Sequence, residues 1–218
     1  LALEKFTIRP MFIECHRISP YSFRSSDIGV VLDLMIHDLD IILEMANSEV
    51  SNIEALGVNV IGDHEDIANA RITFENGCVA NITASRVSMK TMRKVRVFSE
   101  DSYISVDYGK REGLLYKKSP DLQLNNLDIK NIDMKTIADL KNYVFGDLLK
   151  IEKIKISDHE PLQKEIQEFA ECVKNKTSPR VSGVEGVRAL KVAHQITEKI
   201  HENLKKAQHR INGSQKFK

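Results

Sequence analysis

A short segment of this chain places polar residues at helical spacing among apolar ones. Residues 27–46 read DIGVVLDLMIHDLDIILEMA, and Asp33, His37, Asp40 and Glu44 follow one another at spacings of four, three and four. Such spacings bring successive side chains onto one face of a helix. We call these four residues the polar stripe. Because the rest of the segment is apolar, we expect this helix to be buried almost all round, where carboxylates and an imidazole are costly unless they are paired or used.

Two of these residues suit proton transfer. Imidazole titrates near neutral pH, so His37 is a candidate general base, and Asp33, one turn earlier, can orient the ring and favour its protonated form. From the spacing alone, a purely structural Asp33–His37 pair in the core remains the simpler interpretation. Asp33, His37 and Asp40 are also suitable metal-ligand types, but no second histidine completes a set such as H-E-x-x-H, so we expect no metal.

Composition limits the class of protein. The 218 residues are 42% hydrophobic and 29% charged with a formal net charge of +1, which is typical of a globular domain and gives no sign of nucleic-acid or membrane binding. No apolar run reaches the roughly 18 residues that a membrane span needs. Cys15, Cys78 and Cys172 fit no zinc or redox spacing, so we expect reduced thiols and a cytoplasmic location.

Alternating apolar and polar residues predict a run of strands after the helix. Residues 68–75 and 78–87 alternate cleanly on either side of Asn76-Gly77, the strongest short hairpin signal. Ser26 or Asp27 is available as the N-cap of the helix that bears the polar stripe. Further strands are expected at residues 11–19, 51–61, 94–99, 103–108, 114–117 and 151–156.

Helical patterns dominate the C-terminal part. Residues 158–176 form a predicted helix, with Asp158 as cap and Pro161 in the first turn, and residues 182–204 form another. A short helix is expected at 136–149, after a polar loop at 119–133. Hairpin-linked strands between helices favour an α+β fold, an open, mostly antiparallel sheet with helices packed on one face. We expect one domain over 1–204 and a frayed basic tail over 205–218.

Nucleotide-binding loops are missing from the sequence. Neither G-x-G-x-x-G nor a Walker-type Gly-Lys-Ser/Thr occurs, and the loose glycine pair in residues 183–186 is better explained by helix entry than by phosphate binding.

Three segments in this order carry a family resemblance. Residues 17–43, RISPYSFRSSDIGVVLDLMIHDLDIIL, the sheet region 68–106 and the helical region 160–196 resemble the C-terminal catalytic domain of the GFO/IDH/MocA family of nicotinamide-dependent sugar and cyclitol oxidoreductases. Within that family, HRISPYSFRS and DLMIHDLD are most similar to enzymes that oxidise UDP-N-acetylglucosamine-type sugars at the 3-hydroxyl.

The resemblance implies roles for individual residues. The histidine of the Asp-x-x-x-His element, here His37, acts as the base on the hydroxyl that is oxidised, and Asp33 is its partner. Arg17 and Arg24, just before the helix, are candidates to bind a diphosphate or a sugar hydroxyl, although a solvated or salt-bridged loop explains them equally well.

The resemblance also implies what the chain needs from elsewhere. Family members begin with a Rossmann domain that binds NAD or NADP and carries a Glu-Lys-Pro motif, whereas Glu4-Lys5-Phe6 lacks the proline and stands too close to Asp33, so we expect Lys5 not to be catalytic. We therefore expect a C-terminal fragment of a sugar or UDP-sugar dehydrogenase, inactive without its cofactor domain and oligomeric through its sheet face. The alternative is a non-catalytic dimerisation module of the same fold that binds a sugar or a protein.

Overall fold

The computed structural model describes residues 8–22, 27–118, 149–154, 156 and 160–214. The predicted loop at 119–133 and all but the last residue of the predicted helix at 136–149 therefore lie outside the described residues. Lys5, Arg24, Ser26 and Asp158 lie outside them as well.

A single eight-stranded sheet forms the body of the molecule. Its strand order is β2-β3-β4-β1-β5-β6-β7-β8, and every neighbouring pair is antiparallel except β1 and β4, which run parallel. The strands are β1 Phe12–Ile18, β2 Val50–Val58, β3 Ile67–Phe74, β4 Val79–Ser85, β5 Met92–Phe98, β6 Ser102–Asp107, β7 Glu112–Lys118 and β8 Leu149–Ile154.

Alternation in the sequence becomes alternation of burial in the strands. Along β3 and β4 every second side chain is buried, because successive side chains point to opposite faces of a sheet. The predicted turn at Asn76-Gly77 joins these strands, and Gly77 has φ +86°, which glycine tolerates without steric cost. The Asn76 side chain accepts from the Cys78 amide at 3.0 Å, so the turn is stabilised from within.

The helices cover one face of this sheet. A turn of π-helix, Val31–Met35, leads directly into α1, Ile36–Ala46, and two helices follow the last strand: α2, Pro161–Asn175, and α3, Gly183–Ser214. Helix α3 packs on β2 and on α1, and the common core buries side chains from the sheet and from both helices. The predicted α+β fold with an open, mostly antiparallel sheet is confirmed. Helix α3 extends to Ser214, and the frayed basic tail stays a prediction.

Two predicted helix caps are wrong. At α2, Glu160 is the N-cap and its carboxylate accepts from the Gln163 amide at 2.9 Å, a role the sequence analysis gave to Asp158. At the helix that bears the polar stripe, Asp27 lies before the first turn and the N-cap residue, Val30, makes no side-chain cap hydrogen bond. The acceptor for this helix comes from the loop between β2 and β3, which sequence spacing cannot reveal.

That loop also carries a buried ion pair. Arg86, just after β4, donates from Nε to Asp66 Oδ1 at 2.7 Å, and the two side chains are 4% and 0% exposed. Asp66 Oδ2 also accepts from the amides of Val60 and Ile61, at 2.8 and 2.6 Å. Although burial opposes ionisation, these amides and the guanidinium lower the pKa of Asp66 to about 2.

Helix α2 differs from α1 and α3 in having no buried side. Four apolar side chains at helical spacing along it are 59–66% exposed, namely Leu162, Ile166, Phe169 and Val173. Among the described residues, no helix combines the length and apolar character needed to cross a bilayer.

Replacement of Asp66 by Asn tests the ion pair. Asp66→Asn leaves the Arg86 guanidinium buried without its counter-charge, which we expect to lower the free energy of unfolding by roughly 3–5 kcal/mol at pH 7. Because the pKa of Asp66 is lowered from 3.8 to about 2, its stabilisation is present above pH 3.8 and is lost as the pH falls towards 2. Urea unfolding should therefore show that the difference in free energy of unfolding between the native protein and Asp66→Asn shrinks over that pH range. Asp63→Asn, on an exposed residue of the same loop, is the matched control, and an equal effect of both substitutions would contradict the assignment.

Candidate functional site

His37 is on the outer edge of α1. The sequence analysis placed the polar stripe in a buried interior, and the structure corrects this: His37 and Glu44 are exposed, and Asp33 and Asp40 are half-buried. The reason is that α1 packs on the sheet and on α3 and leaves its remaining side open. An exposed imidazole on a rigid helix can meet a molecule from outside, which a core histidine cannot.

Asp33 lies in the π-turn directly before α1. The amide of Ile36 donates to the Val31 carbonyl, five residues back, which is the bond that defines this wider turn. Within the described part of the chain, no hydrogen bond joins Asp33 to His37, so the orienting contact stays a prediction. Catalytic hydrogen bonds in unliganded proteins are often longer than in the substrate complex, so the geometry does not remove Asp33 as a candidate. Single π-turns occur frequently at functional sites.

Arg17 is paired inside the protein. It lies in β1, and its guanidinium donates from Nε to Asp38 Oδ2 at 2.8 Å and from Nη2 to Oδ1 at 2.7 Å. Both side chains are largely buried, 14% and 4% exposed. Burial opposes the charge of Arg17, but the hydrogen bond and charge of Asp38 raise its pKa overall. Because Asp38 follows His37 directly, this pair fixes α1 on β1 one residue from the candidate base, and substrate binding by Arg17 stays a prediction.

Tyr108 and Cys15 lie beside this pair. Burial raises the pKa of the Cys15 thiol, and the negative charge of Asp38 adds to the effect. Burial likewise raises the pKa of the Tyr108 phenol, with further contributions from Cys15 and Asp38. Both groups therefore remain protonated at neutral pH, and neither is a candidate base or nucleophile.

Asp40 connects the polar stripe to the start of α3. Burial and the nearby carboxylate of Glu185 raise the pKa of Asp40, whereas His37 lowers it. Asp40 is thus within electrostatic range of both His37 and the first turn of α3.

The glycine pair of residues 183–186 marks a helix entry, as predicted. The Ser182 amide donates to Glu185 Oε2 at 2.6 Å, and Ser182 Oγ accepts from the Val184 amide at 3.1 Å, which together form a capping box. Two amides at this helix start, those of Ser182 and Val184, are therefore already satisfied by side chains. In the described ranges, acidic, histidine and cysteine side chains nowhere converge in threes as a metal site would require.

A shallow depression of about 650 Å³ lies between the edge strand β2 and the C-terminal half of α3. None of its lining residues belongs to the polar stripe, so it is separate from the site around His37. The lining is mostly polar and includes Glu54, Arg71, Lys199, Glu202 and Asn203.

Sequence reasoning missed the residues that hold this site in place. No anchoring role was predicted for Asp38, Glu65, Asp66 or Arg86. The one available signal was a charged residue inside an apolar segment, which applies to Asp38; the other three lie in a loop and at a strand end. Their partners in other elements are 20 or more residues away, and spacing arguments consider only neighbours along one element.

Comparison with known proteins identifies a family domain in part of the chain. The family model described as GFO/IDH/MocA C-terminal domain matches residues 14–105. The UDP-N-acetylglucosamine 3-dehydrogenase of Acidithiobacillus ferrooxidans is 33% identical over 188 residues, which are 86% of this chain and 53% of that protein. The chain thus spans about half the length of this curated relative.

Solved structures agree on the fold. The structure of the A. ferrooxidans enzyme superposes on this chain with a TM-score of 0.75 and 29% sequence identity. The match covers 90% of this chain and 56% of the A. ferrooxidans chain. A levoglucosan dehydrogenase in complex with NADH has a TM-score of 0.69 at 14% identity, over 89% of this chain and 57% of that one. An NAD-binding protein from Listeria innocua has a TM-score of 0.65 at 18% identity, over 92% and 56%. Residues 14–105 therefore carry a GFO/IDH/MocA C-terminal domain, and the described part of the chain shares the architecture of these solved structures.

Proposed function

We propose that this chain supplies the substrate-binding and proton-transfer surface of an NAD(P)-dependent dehydrogenase that acts on a sugar or nucleotide-sugar hydroxyl. The observation that carries the proposal is the exposed imidazole of His37 on a helix that is otherwise fixed in the core. The substrate class is supported by the 33% identity to an enzyme named for the oxidation of UDP-N-acetylglucosamine.

The proposed chemistry divides between two partners. Oxidation of an alcohol releases a hydride and a proton, and a bound nicotinamide would supply the acceptor for the hydride. His37 takes the proton from the hydroxyl oxygen, because it is the exposed imidazole of the polar stripe. Asp33 stabilises the resulting imidazolium through its charge when the substrate complex closes.

The nicotinamide dinucleotide does not fit this chain's described residues alone. The Gly183–Gly186 region forms a helix cap, and no other glycine-rich loop occurs in the sequence. The described residues therefore offer no phosphate-binding loop for the diphosphate. A separate dinucleotide-binding domain is therefore required, and we infer that it docks over the open side of α1. Exposed apolar side chains of α2 and the first turns of α3 provide area for that contact; those of α3 are Val184, Val187 and Leu190, 41–74% exposed.

The open face of the sheet supports a homo-oligomer. Ile13 and Cys15 of β1 are buried beneath the helices, so Phe12 points to the opposite face. There it begins a row of half-buried rings across four strands, with centroid separations of 5.7, 4.7 and 5.1 Å between successive members: Phe12, Phe98, Tyr103 and Tyr116. We propose that a second copy covers this row. The same contact would serve the alternative function, a non-catalytic dimerisation module, so activity and ligand binding must distinguish the two.

His37→Ala tests the proposed base. With a nicotinamide-binding domain supplied, we expect the substitution to lower kcat for NAD-dependent oxidation of UDP-N-acetylglucosamine by on the order of 10²- to 10⁴-fold. His194→Ala, on an exposed residue of α3, should leave kcat unchanged. The isolated chain should not reduce NAD at all. Turnover by the isolated chain, or full activity of His37→Ala, would sink the proposal.

Arg24→Ala tests the proposed diphosphate contact. A charged hydrogen bond contributes about 1.5–3 kcal/mol, so calorimetry should show saturable binding of the UDP-sugar that weakens roughly 10- to 100-fold in this variant. Lys90→Ala, on an exposed residue of the loop after β4, is the charge-matched control and should bind normally. Equal binding by both variants would remove Arg24 from the site, and a peptide or protein as the sole ligand would favour the non-catalytic alternative.

Tyr103→Arg tests the proposed sheet contact. A cation in the middle of the aromatic row would be buried without a counter-charge at the interface, so we expect the variant to sediment as a monomer while the native protein sediments as an oligomer. Met89→Arg, at a position that is 97% exposed, should leave the assembly intact. A monomeric native protein, or an oligomer unaffected by Tyr103→Arg, contradicts this contact.

A further inference from the structure

We propose that Glu65 is a positioning residue for the Asp33–His37 pair, acting from the loop between β2 and β3. This inference rests on the proposed function of His37. It concerns a buried acidic side chain that makes no contact with the polar stripe itself.

The hydrogen bonds of Glu65 go to the start of the helix. Its carbonyl accepts from the Val30 amide at 2.9 Å, and its Oε1 accepts from the Val31 amide at 3.3 Å. The residue is only 3% exposed. A carboxylate is costly to bury, and here it substitutes for the missing local N-cap, satisfying first-turn amides that would otherwise lack a partner.

Gly29 leaves the space that this carboxylate occupies. A Cβ built on Gly29 would overlap the carboxyl group of Glu65. A side chain at this position would have to displace that carboxyl group, whereas the backbone angle of Gly29 does not itself call for glycine. The two residues form one unit, in which the small residue on the helix admits the acceptor from the loop.

A second group holds the chain just upstream. Arg86 Nη1 donates to the Ile28 carbonyl at 2.8 Å, while its Nε binds Asp66. The segment before the π-turn is consequently fixed by the β2–β3 loop and by the end of β4. Both anchors lie directly beside strand ends, Glu65 before β3 and Arg86 after β4, so they set where the helix begins relative to the strands.

The far end of the π-turn is fixed independently. Leu39, Ile42 and Leu43 of α1 are buried in the core, and Asp38 is held by Arg17. A π-turn contains one more residue than an α-turn, and this extra residue must be accommodated between the two fixed ends. Release of the upstream anchor would let the turn relax, and Asp33 would then change its position relative to His37.

The experiment compares four variants of the whole chain: Glu65→Ala, Glu65→Gln, Gly29→Ala and the double variant Gly29→Ala/Glu65→Ala. Glu65→Gln keeps an oxygen that can accept from Val31. Gly29→Ala displaces the carboxylate by steric overlap. In the double variant the added methyl group partly fills the space that the shortened side chain vacates, which protects folding where Glu65→Ala alone is unstable.

The first readout is independent of activity. We expect the ring proton shifts of His37, assigned by His37→Ala, to change in Glu65→Ala and in Gly29→Ala but to stay near native in Glu65→Gln. The shifts of His194 and His201 should not move in any variant that is folded. Unchanged His37 shifts in folded Glu65→Ala or double variant would overturn the positioning role, whatever the activity of the protein.

The second readout is kinetic, with a nicotinamide-binding domain supplied. A small misplacement of a catalytic group can cost on the order of 100-fold in rate, so we expect kcat to fall about 10- to 100-fold with KM for the sugar unchanged. The effects of Gly29→Ala and Glu65→Ala should not add, because both remove the same contact. Additive effects or a native kcat would overturn the proposal, whereas loss of the His37 effect itself would overturn the proposed function instead.

Discussion

The buried pair of Asp66 and Arg86 connects parts of the chain that are distant in sequence. The Asp66 carboxylate accepts hydrogen bonds from two amides of its own loop. The Arg86 guanidinium donates both to that carboxylate and to the carbonyl of Ile28 at the start of the helix. Burial of these charges is tolerated because the pair supplies its own counter-charges and hydrogen-bond partners. Through these contacts the β2–β3 loop and the end of β4 determine where the helix with the candidate base starts.

Much of the fold could be predicted because it depends on local patterns. Alternation of apolar residues in β3 and β4, the Asn76-Gly77 turn and the 3.6-residue period of the helices all depend on residues close in sequence. The helix caps could not be predicted in the same way. The sequence offers Asp27 and Asp158 at suitable spacing, but the structure uses Glu65 in the first case and Glu160 in the second. A cap from a loop 34 residues away is invisible until the fold is known.

The environment of the candidate residues was predicted wrongly, and their catalytic roles stay predictions. His37 and Asp33 were found from spacing and from the resemblance, but a helix of apolar residues suggested an enclosed site. An apolar sequence indicates that a helix packs against other parts of the protein, but it does not indicate which side of the helix they cover. In the structure His37 is exposed, and the fully buried carboxylate of this helix is Asp38, paired with Arg17. The same limitation applies to α2, which was predicted as a helix although no described residue covers its apolar side chains.

The position of β1 in the sheet has a consequence for how the protein folds. Strands β2 to β4 and strands β5 to β8 each pair in chain order, but β1 stands between the two groups and joins β4 to β5. Strands β2 to β4 and β5 to β7 can assemble from contacts that are near in sequence, whereas the addition of β8 and the union of the two groups through β1 require closure of longer loops. Strand β1 is therefore the element that joins the two halves of the sheet. Without it the remaining strands would be two separate meanders with new unprotected edges.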